Sequence, residues 1–304
     1  MSREFLGRPP FFVRQSLVAT IDMPELPEVE TVVRQLRPQL VGRRLRGIRP
    51  YTPGVIRCQA FPKAHLVGAT MLDVRRRGKF IRCDLMTGPH RRRRTCDRLT
   101  LLVHLGMTGQ LTVLDAPSAR GRHDHLDLLL NGRDLVRFRD ARRFGGWWLL
   151  PSQVADSRAP LADLGPEPLE VSRKDFRRLL AGHRQQIKAL LLNQRRLAGM
   201  GNIYCDESLF AAAIHPQMQS CDIAAPAANG LWRHIRRILR AAVRRRGSTI
   251  ATFCRPDGGP GEYQDRFKVY GMAGRPCVRC GTTLRRLLVA GRGTTLCPTC
   301  QGRP

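Results

Sequence analysis

Val29, Val32, Val33 and Leu36 fall at helical spacing in PELPEVETVVRQLRPQL, which begins at Pro24, and this predicts a leading helix. Pro27 suits a first-turn position, and Glu28 and Glu30 complement the positive end of the helix. The pattern then shortens. Runs at 80–85, 99–105, 110–114, 125–130, 134–138 and 146–150 read as strands separated by turn residues, with Asn131-Gly132 the strongest hairpin signal. A mostly antiparallel β domain up to about residue 150 follows from this. Beyond a link rich in Pro, Gly and Asp, helical patterns return at 173–180, 185–193, 204–212 and 227–246. Between 247 and 270 no amphipathic pattern persists and Gly258, Gly259 and Gly261 cluster, which predicts a mobile loop. Segments 282–290 and 292–296 then read as a hairpin. Strands, helices and a terminal ribbon in that order predict an α+β chain of two domains with a small appendage.

Charge narrows the choice of partner. The 304 residues carry 53 Lys and Arg against 24 Asp and Glu, a formal net charge of +29. That excess implies a polyanion, and nucleic acid is preferred to a membrane because no stretch of about 18 apolar residues occurs. The run Arg91 to Arg94 reads as a solvated basic loop. Four of the ten cysteines, Cys277, Cys280, Cys297 and Cys300, form two Cys-x-x-Cys pairs sixteen residues apart. This is the spacing of a four-thiolate zinc ribbon. Four ligands leave no open position, so one structural Zn2+ is expected. Arg285, Arg286 and Arg292 would make its hairpin a basic ribbon. The six scattered cysteines do not suggest a disulfide framework, and Arg14 interrupts the apolar run near the start. A reducing compartment, the cytosol, is expected.

Seven co-linear motifs go further. MPELPEVETV from Met23, HLGMTG (104–109), DARRFG (140–145), LGPEPL (164–169), GMGNIYCDESLFAAAIHP (199–216), KVYG (268–271) and the four cysteines together resemble the formamidopyrimidine-DNA glycosylase family of bacterial enzymes for 8-oxoguanine and ring-opened purines. The sister family of the endonuclease VIII type, which acts on oxidised pyrimidines, usually opens PEGPE, so PELPEVET favours the purine branch. The resemblance implies an N-terminal antiparallel β-sandwich with a leading helix (24–150) and a linker (151–170). A helix-two-turn-helix domain (171–246), a lesion-recognition loop at about 249–263 within a loop-and-link segment (247–270), and a zinc finger (271–304) follow. Double-stranded DNA carrying oxidised bases would lie in the cleft, bound by a monomer of bacterial cytoplasm and nucleoid. The arginine often found after VYG is Met272 here.

By the same resemblance Pro24, freed by removal of Met23, would attack through its secondary amine. An α-amine titrates near pH 8, far below a lysine, which suits that task. Glu25 would protonate the sugar ring oxygen, Glu28 would position the amine or a water, and Lys79 would lie near the lesion's phosphate and sugar. Met107 would fill the space of the extruded base, Arg142 would bond the orphaned cytosine and Phe144 would wedge beside it. Their ordinary alternatives are strand packing and surface charge. Asn202, with its helix-start amide, Lys188 and Arg292 would hold phosphates, and Glu207 would help hold the flipped base. As written, Pro24 follows 23 residues and its nitrogen is an amide. Translation is therefore expected to begin at Met23. An inactive zinc-ribbon DNA-binding protein is the alternative if Pro24 stays blocked.

Overall fold

A computed structural model describes residues 23–88, 98–115, 118–250 and 253–302. The segment before Met23, the Arg91 to Arg94 run and part of the glycine-rich loop lie outside the described residues. The first element is α1 (Leu26–Leu40), whose Leu26, Val29, Val32, Val33, Leu36 and Leu40 are all buried. Nine strands follow: β1 (Leu45–Pro50), β2 (Ile56–Gln59), β3 (Thr70–Arg77), β4 (Phe80–Met86), β5 (Arg98–His104), β6 (Gly109–Leu114), β7 (Asp124–Leu130), β8 (Leu135–Asp140) and β9 (Gly146–Pro151). They form two sheets, ordered β1-β7-β8-β6 and β2-β9-β5-β4-β3. A shared core containing Val74, Ile81, Leu101, Leu126, Phe138 and Trp147 fills the space between the sheets and under α1.

The six strands expected from alternation are β4 to β9, and Asn131-Gly132 lies in the turn that joins antiparallel β7 and β8. Pairing is antiparallel throughout both sheets except at β2 and β9. β1 to β3 escape a reading by pattern for physical reasons. β1 and β3 are mostly half-exposed and carry arginines, and β2 is four residues at an edge.

A short helix, α2 (Ser152–Ala155), ends the sandwich. The second lobe consists of α3 (Arg173–Ala181), α4 (Ile187–Leu192), α5 (Asn202–Ala211) and α6 (Ala225–Arg244), packed around Tyr204, Leu209, Leu231 and Leu239. A hairpin of β10 (Arg285–Val289) and β11 (Arg292–Leu296) carries the cysteines and docks on the end of α5 through Phe210, Val269 and Leu284. The segment expected to be a mobile loop is packed in its described part. Phe253 enters the core of the sandwich, while Tyr263, Phe267 and Tyr270 enter that of the helical lobe. Met272 lies between the helical core and the hairpin core.

Candidate active site

The two lobes are joined at the amino terminus of α1. Glu25 is 1% exposed, and its carboxylate accepts the N–H of Ile203 at 2.9 Å, so a residue of the first lobe caps the start of α5 in the second. A Cβ on Gly201 would lie 2.2 Å from Glu25 Cδ, so the turn GMGN can approach only with glycine there. Leu26 N–H donates to Gly199 O, and Gln194 holds the same turn by accepting from Gly199 N and donating to Met200 O.

Glu28 lies beneath, 2% exposed. One of its carboxylate oxygens accepts the Glu25 N–H at 3.0 Å; the other accepts from the Tyr204 hydroxyl at 2.6 Å and from Ser248 N–H and Oγ–H at 2.8 and 3.0 Å. Burial pushes its pKa up against these donors, and pushes that of Tyr204 well above the ordinary phenol. A buried carboxylate this fully bonded fixes the backbone nitrogen that follows Pro24.

Around this corner is a cavity of about 230 Å³, lined by Met23, Glu25, Lys79, Phe80, His104, Met200, Gly201, Asn202 and Arg292, among others. Strand, helix and hairpin each contribute. Lys79, 7% exposed, is presented by the β3–β4 turn. That turn is held by Glu167 of LGPEPL, which accepts from Gly78 N–H at 2.6 Å and pairs with Arg76 at 2.6 Å and Arg77 at 3.1 Å. Asn202 donates to Gly293 O at 3.1 Å, which ties α5 to the hairpin and seats exposed Arg292 on the cavity rim. Asn202 Oδ1 is buried without a partner among the described residues, and the next amide of α5, that of Ile203, is taken by Glu25.

Met107 and Arg142 with Phe144 come from two loops of the sandwich that clasp each other. Gly106 takes φ +63°, and a Cβ there would stand 2.4 Å from Gly145 N. Asp140 accepts from the Thr108 hydroxyl and, at 2.8 Å, from Gly145 N–H, while Arg142 N–H donates to Thr108 Oγ1 at 3.0 Å. The product is an exposed rim on which the Arg142 guanidinium lies 4.9 Å from the centre of the Phe144 ring, itself 56% exposed.

The cysteine sulfurs all lie within 4.8 Å of one another, with Cys277 to Cys300 at 3.9 Å, Cys280 to Cys297 at 3.5 Å and Cys280 to Cys300 at 3.5 Å. Tetrahedral Zn2+ with bonds of about 2.3 Å separates its sulfurs by about 3.8 Å, so the four residues fit one structural zinc. Backbone N–H groups of Arg279 and Cys300 point at the Cys277 and Cys297 sulfurs, which steadies the thiolates.

Two expectations need correction. Lys188 is fully buried; its Nζ bonds Asp206 at 2.5 Å and Thr294 Oγ1 at 2.7 Å, so it locks the helical lobe to the hairpin and is closed to a phosphate. Glu207, 3% exposed, accepts the N–H groups of Lys268, Val269 and Tyr270, and so holds KVYG rather than facing the cavity. Pattern reading also missed Glu167, Gln194, Tyr204 and Ser248. LGPEPL contains Glu167 and GMGNIYCDESLFAAAIHP contains Tyr204, but each marks a motif without saying what its side chain holds.

Among known domains, the formamidopyrimidine-DNA glycosylase N-terminal domain matches residues 23–147, its H2TH domain matches 164–254, and a zinc finger found in FPG and IleRS matches 274–302. A formamidopyrimidine-DNA glycosylase of Symbiobacterium thermophilum is 42% identical over 286 residues, covering 93% of this chain and 90% of the relative. The crystal structure of MutM (FPG) from Thermus thermophilus superposes with a TM-score of 0.79 at 41% identity. A Lactococcus lactis FPG mutant in complex with a Fapy-dG containing DNA superposes with a TM-score of 0.81 at 33% identity. Each of these two alignments covers 92% of this chain and 100% of the other. Three domains matched in order, together with identity of this extent, place the chain in the formamidopyrimidine-DNA glycosylase family.

Proposed function

We propose that this chain is a base-excision glycosylase and abasic-site lyase for oxidised purines, 8-oxoguanine and formamidopyrimidines, in duplex DNA, with the amine of Pro24 as its nucleophile. The observation that carries this reading is that residues of sandwich, helical lobe and hairpin, Glu25, Lys79, Asn202 and Arg292, line one cavity beside Pro24. Met23 lines that cavity too, and the first matched domain begins at Met23. Its removal would place the free nitrogen of Pro24 at the cavity wall.

The amine attacks the anomeric carbon of the damaged nucleotide, and the bond to the base breaks with its electron pair leaving on the base, which takes up the proton that the amine nitrogen gives up. Glu25 delivers a proton to the sugar ring oxygen, and the opened sugar is held as an iminium on Pro24. That cation acidifies the neighbouring C2′ hydrogen, whose loss expels the 3′ phosphate; a second elimination expels the 5′ phosphate, and water releases the enzyme. Lys79, Asn202 and Arg292 hold the backbone. Met107, Arg142 and Phe144 occupy the gap left by the extruded base. The zinc keeps the hairpin folded. Among the described residues no helix is long and apolar enough to cross a membrane, and we place the activity, as a monomer, in the cytoplasm on chromosomal DNA.

The test is a duplex with 8-oxoguanine opposite cytosine. A chain beginning at Pro24 is expected to nick it, leave phosphate at both ends and form an adduct trapped by borohydride. Absence of nicking by that chain would overturn the reading, and preferential cutting at thymine glycol would move the substrate to pyrimidines.

A further inference from the structure

At the carboxyl end of α5, away from the cavity at its amino end, lies a second recess of about 440 Å³. At 1.5 Å per residue the two are roughly 10 Å apart along the helix. The floor of the recess is apolar, with Phe210, Ile238, Ala241 and Tyr263. Val278 of the hairpin stands at its edge, 62% exposed. Five cations surround it: Arg237, Arg245, Arg266, Lys268 and Arg279.

These charges are unbalanced. Glu207 is the one carboxylate in the wall, its oxygens accepting three backbone N–H groups, so five cations face a single acidic side chain. None of the five cations forms a side-chain ion pair among the described residues; Arg279 spends its guanidinium on the carbonyls of Phe210 and Ala211. Elsewhere along its length α6 also carries Arg233, Arg236, Arg240 and Arg244, and this helix has no acidic residue. His234 feels the field: burial first, then Arg237, Arg279 and Arg233, push its pKa down.

We propose that this recess is a docking site for an acidic peptide segment of a partner protein that carries a bulky apolar side chain. The apolar chain covers Ile238, Ala241 and Val278 while its carboxylates pair with Arg237, Arg245, Arg266 and Lys268. A duplex backbone offers phosphates to the cations but nothing for the floor, whereas an acidic peptide with an apolar anchor satisfies both. The volume is within the range of about 300–1,000 Å³ usual for small binding sites.

The probe is a fluorescein-labelled peptide of three aspartates followed by leucine and phenylalanine, titrated by anisotropy into the full zinc-loaded chain. It is expected to bind at least tenfold more tightly than the same peptide with asparagines, and to stay bound when lesion duplex saturates the cleft. The double variant R237E/R266E should lose at least tenfold in peptide affinity and cut lesion duplex at the unaltered rate, which also shows that it folds. The proposal fails if the two peptides bind alike, if the variant keeps its peptide affinity, or if lesion duplex displaces the peptide.

Discussion

Glu25 and Glu28 are 1% and 2% exposed and bonded to the second lobe, whereas Phe144, on the same sandwich, is 56% exposed and has Arg142 laid over its ring. The corner is complete in the protein alone. The rim, by contrast, leaves the Phe144 ring in solvent, apolar area whose burial against a partner would be favourable, beside a hydrated guanidinium able to donate hydrogen bonds. On the proposed reading, the corner organises chemistry through bonds already made and the rim keeps its contacts for a duplex. Changes at the corner should therefore cost stability and activity together, and changes at the rim activity alone.

The largest expected effect separates the proposed nucleophile from the corner that holds it. A chain of verified intact mass that keeps the residues before Pro24 should fold and bind duplex, yet lose base release and borohydride trapping by roughly 10³-fold or more. Equal activity in that chain would remove Pro24 from the mechanism. Next is the zinc. Stripping it with a strong chelator should melt the hairpin and remove Arg292 and the Gly293–Asn202 bond from the cavity, lowering duplex affinity by on the order of a hundredfold. Unchanged affinity of verified zinc-free protein would mean that the hairpin stands without it.

Gly201→Ala tests the corner directly. With the new methyl 2.2 Å from Glu25 Cδ, about 1–3 kcal/mol of stability should be lost in urea unfolding, and cleavage should fall with it. A stable, active variant would show that the lobes do not depend on this approach. Arg142→Ala and Phe144→Ala are the matched controls. Each should slow lesion cleavage by roughly tenfold or more, while stability stays within about 0.5 kcal/mol of the parent. A stability loss like that of Gly201→Ala would erase the distinction between the regions.

The same contrast decides what was legible in the sequence. Cysteine spacing predicted a zinc site because its ligands are paired locally, and PELPEVET placed Pro24, Glu25 and Glu28 in one turn. The partners that make this turn work are remote: Tyr204 lies 176 positions from Glu28 and Ser248 lies 220 away. No local period encodes such a pairing. Lys188 misled because lysine is ordinarily a surface residue, yet it sits in the apolar run IKALLL, where burial with Asp206 is the consistent outcome. Rim residues were legible through resemblance alone, since Arg142 and Phe144 have no local pattern that separates a wedge from strand packing or surface charge.

The smallest expected effect concerns His104, which joins the two regions. It ends β5, lines the cavity with Lys79, and accepts the Gly106 N–H on Nδ1 at 3.0 Å, at the base of the turn that bears Met107. The ring is therefore neutral with its proton on Nε2. Burial first, and then the charge of Lys79, push its pKa down to about 4. Histidine in an unfolded chain titrates near 6.5, so between about pH 6.5 and pH 4 the unfolded state binds a proton that the folded state refuses. This contribution to stability is present above about pH 6.5 and is lost as the pH falls toward 4, by up to about 3 kcal/mol. Protonation would also remove the acceptor of the Gly106 N–H and loosen the turn beneath Met107. His104→Gln keeps an acceptor and cannot titrate, so its stability should fall less steeply between pH 6.5 and 4. Parallel stability curves for parent and variant across that range would take His104 out of the link between corner and rim.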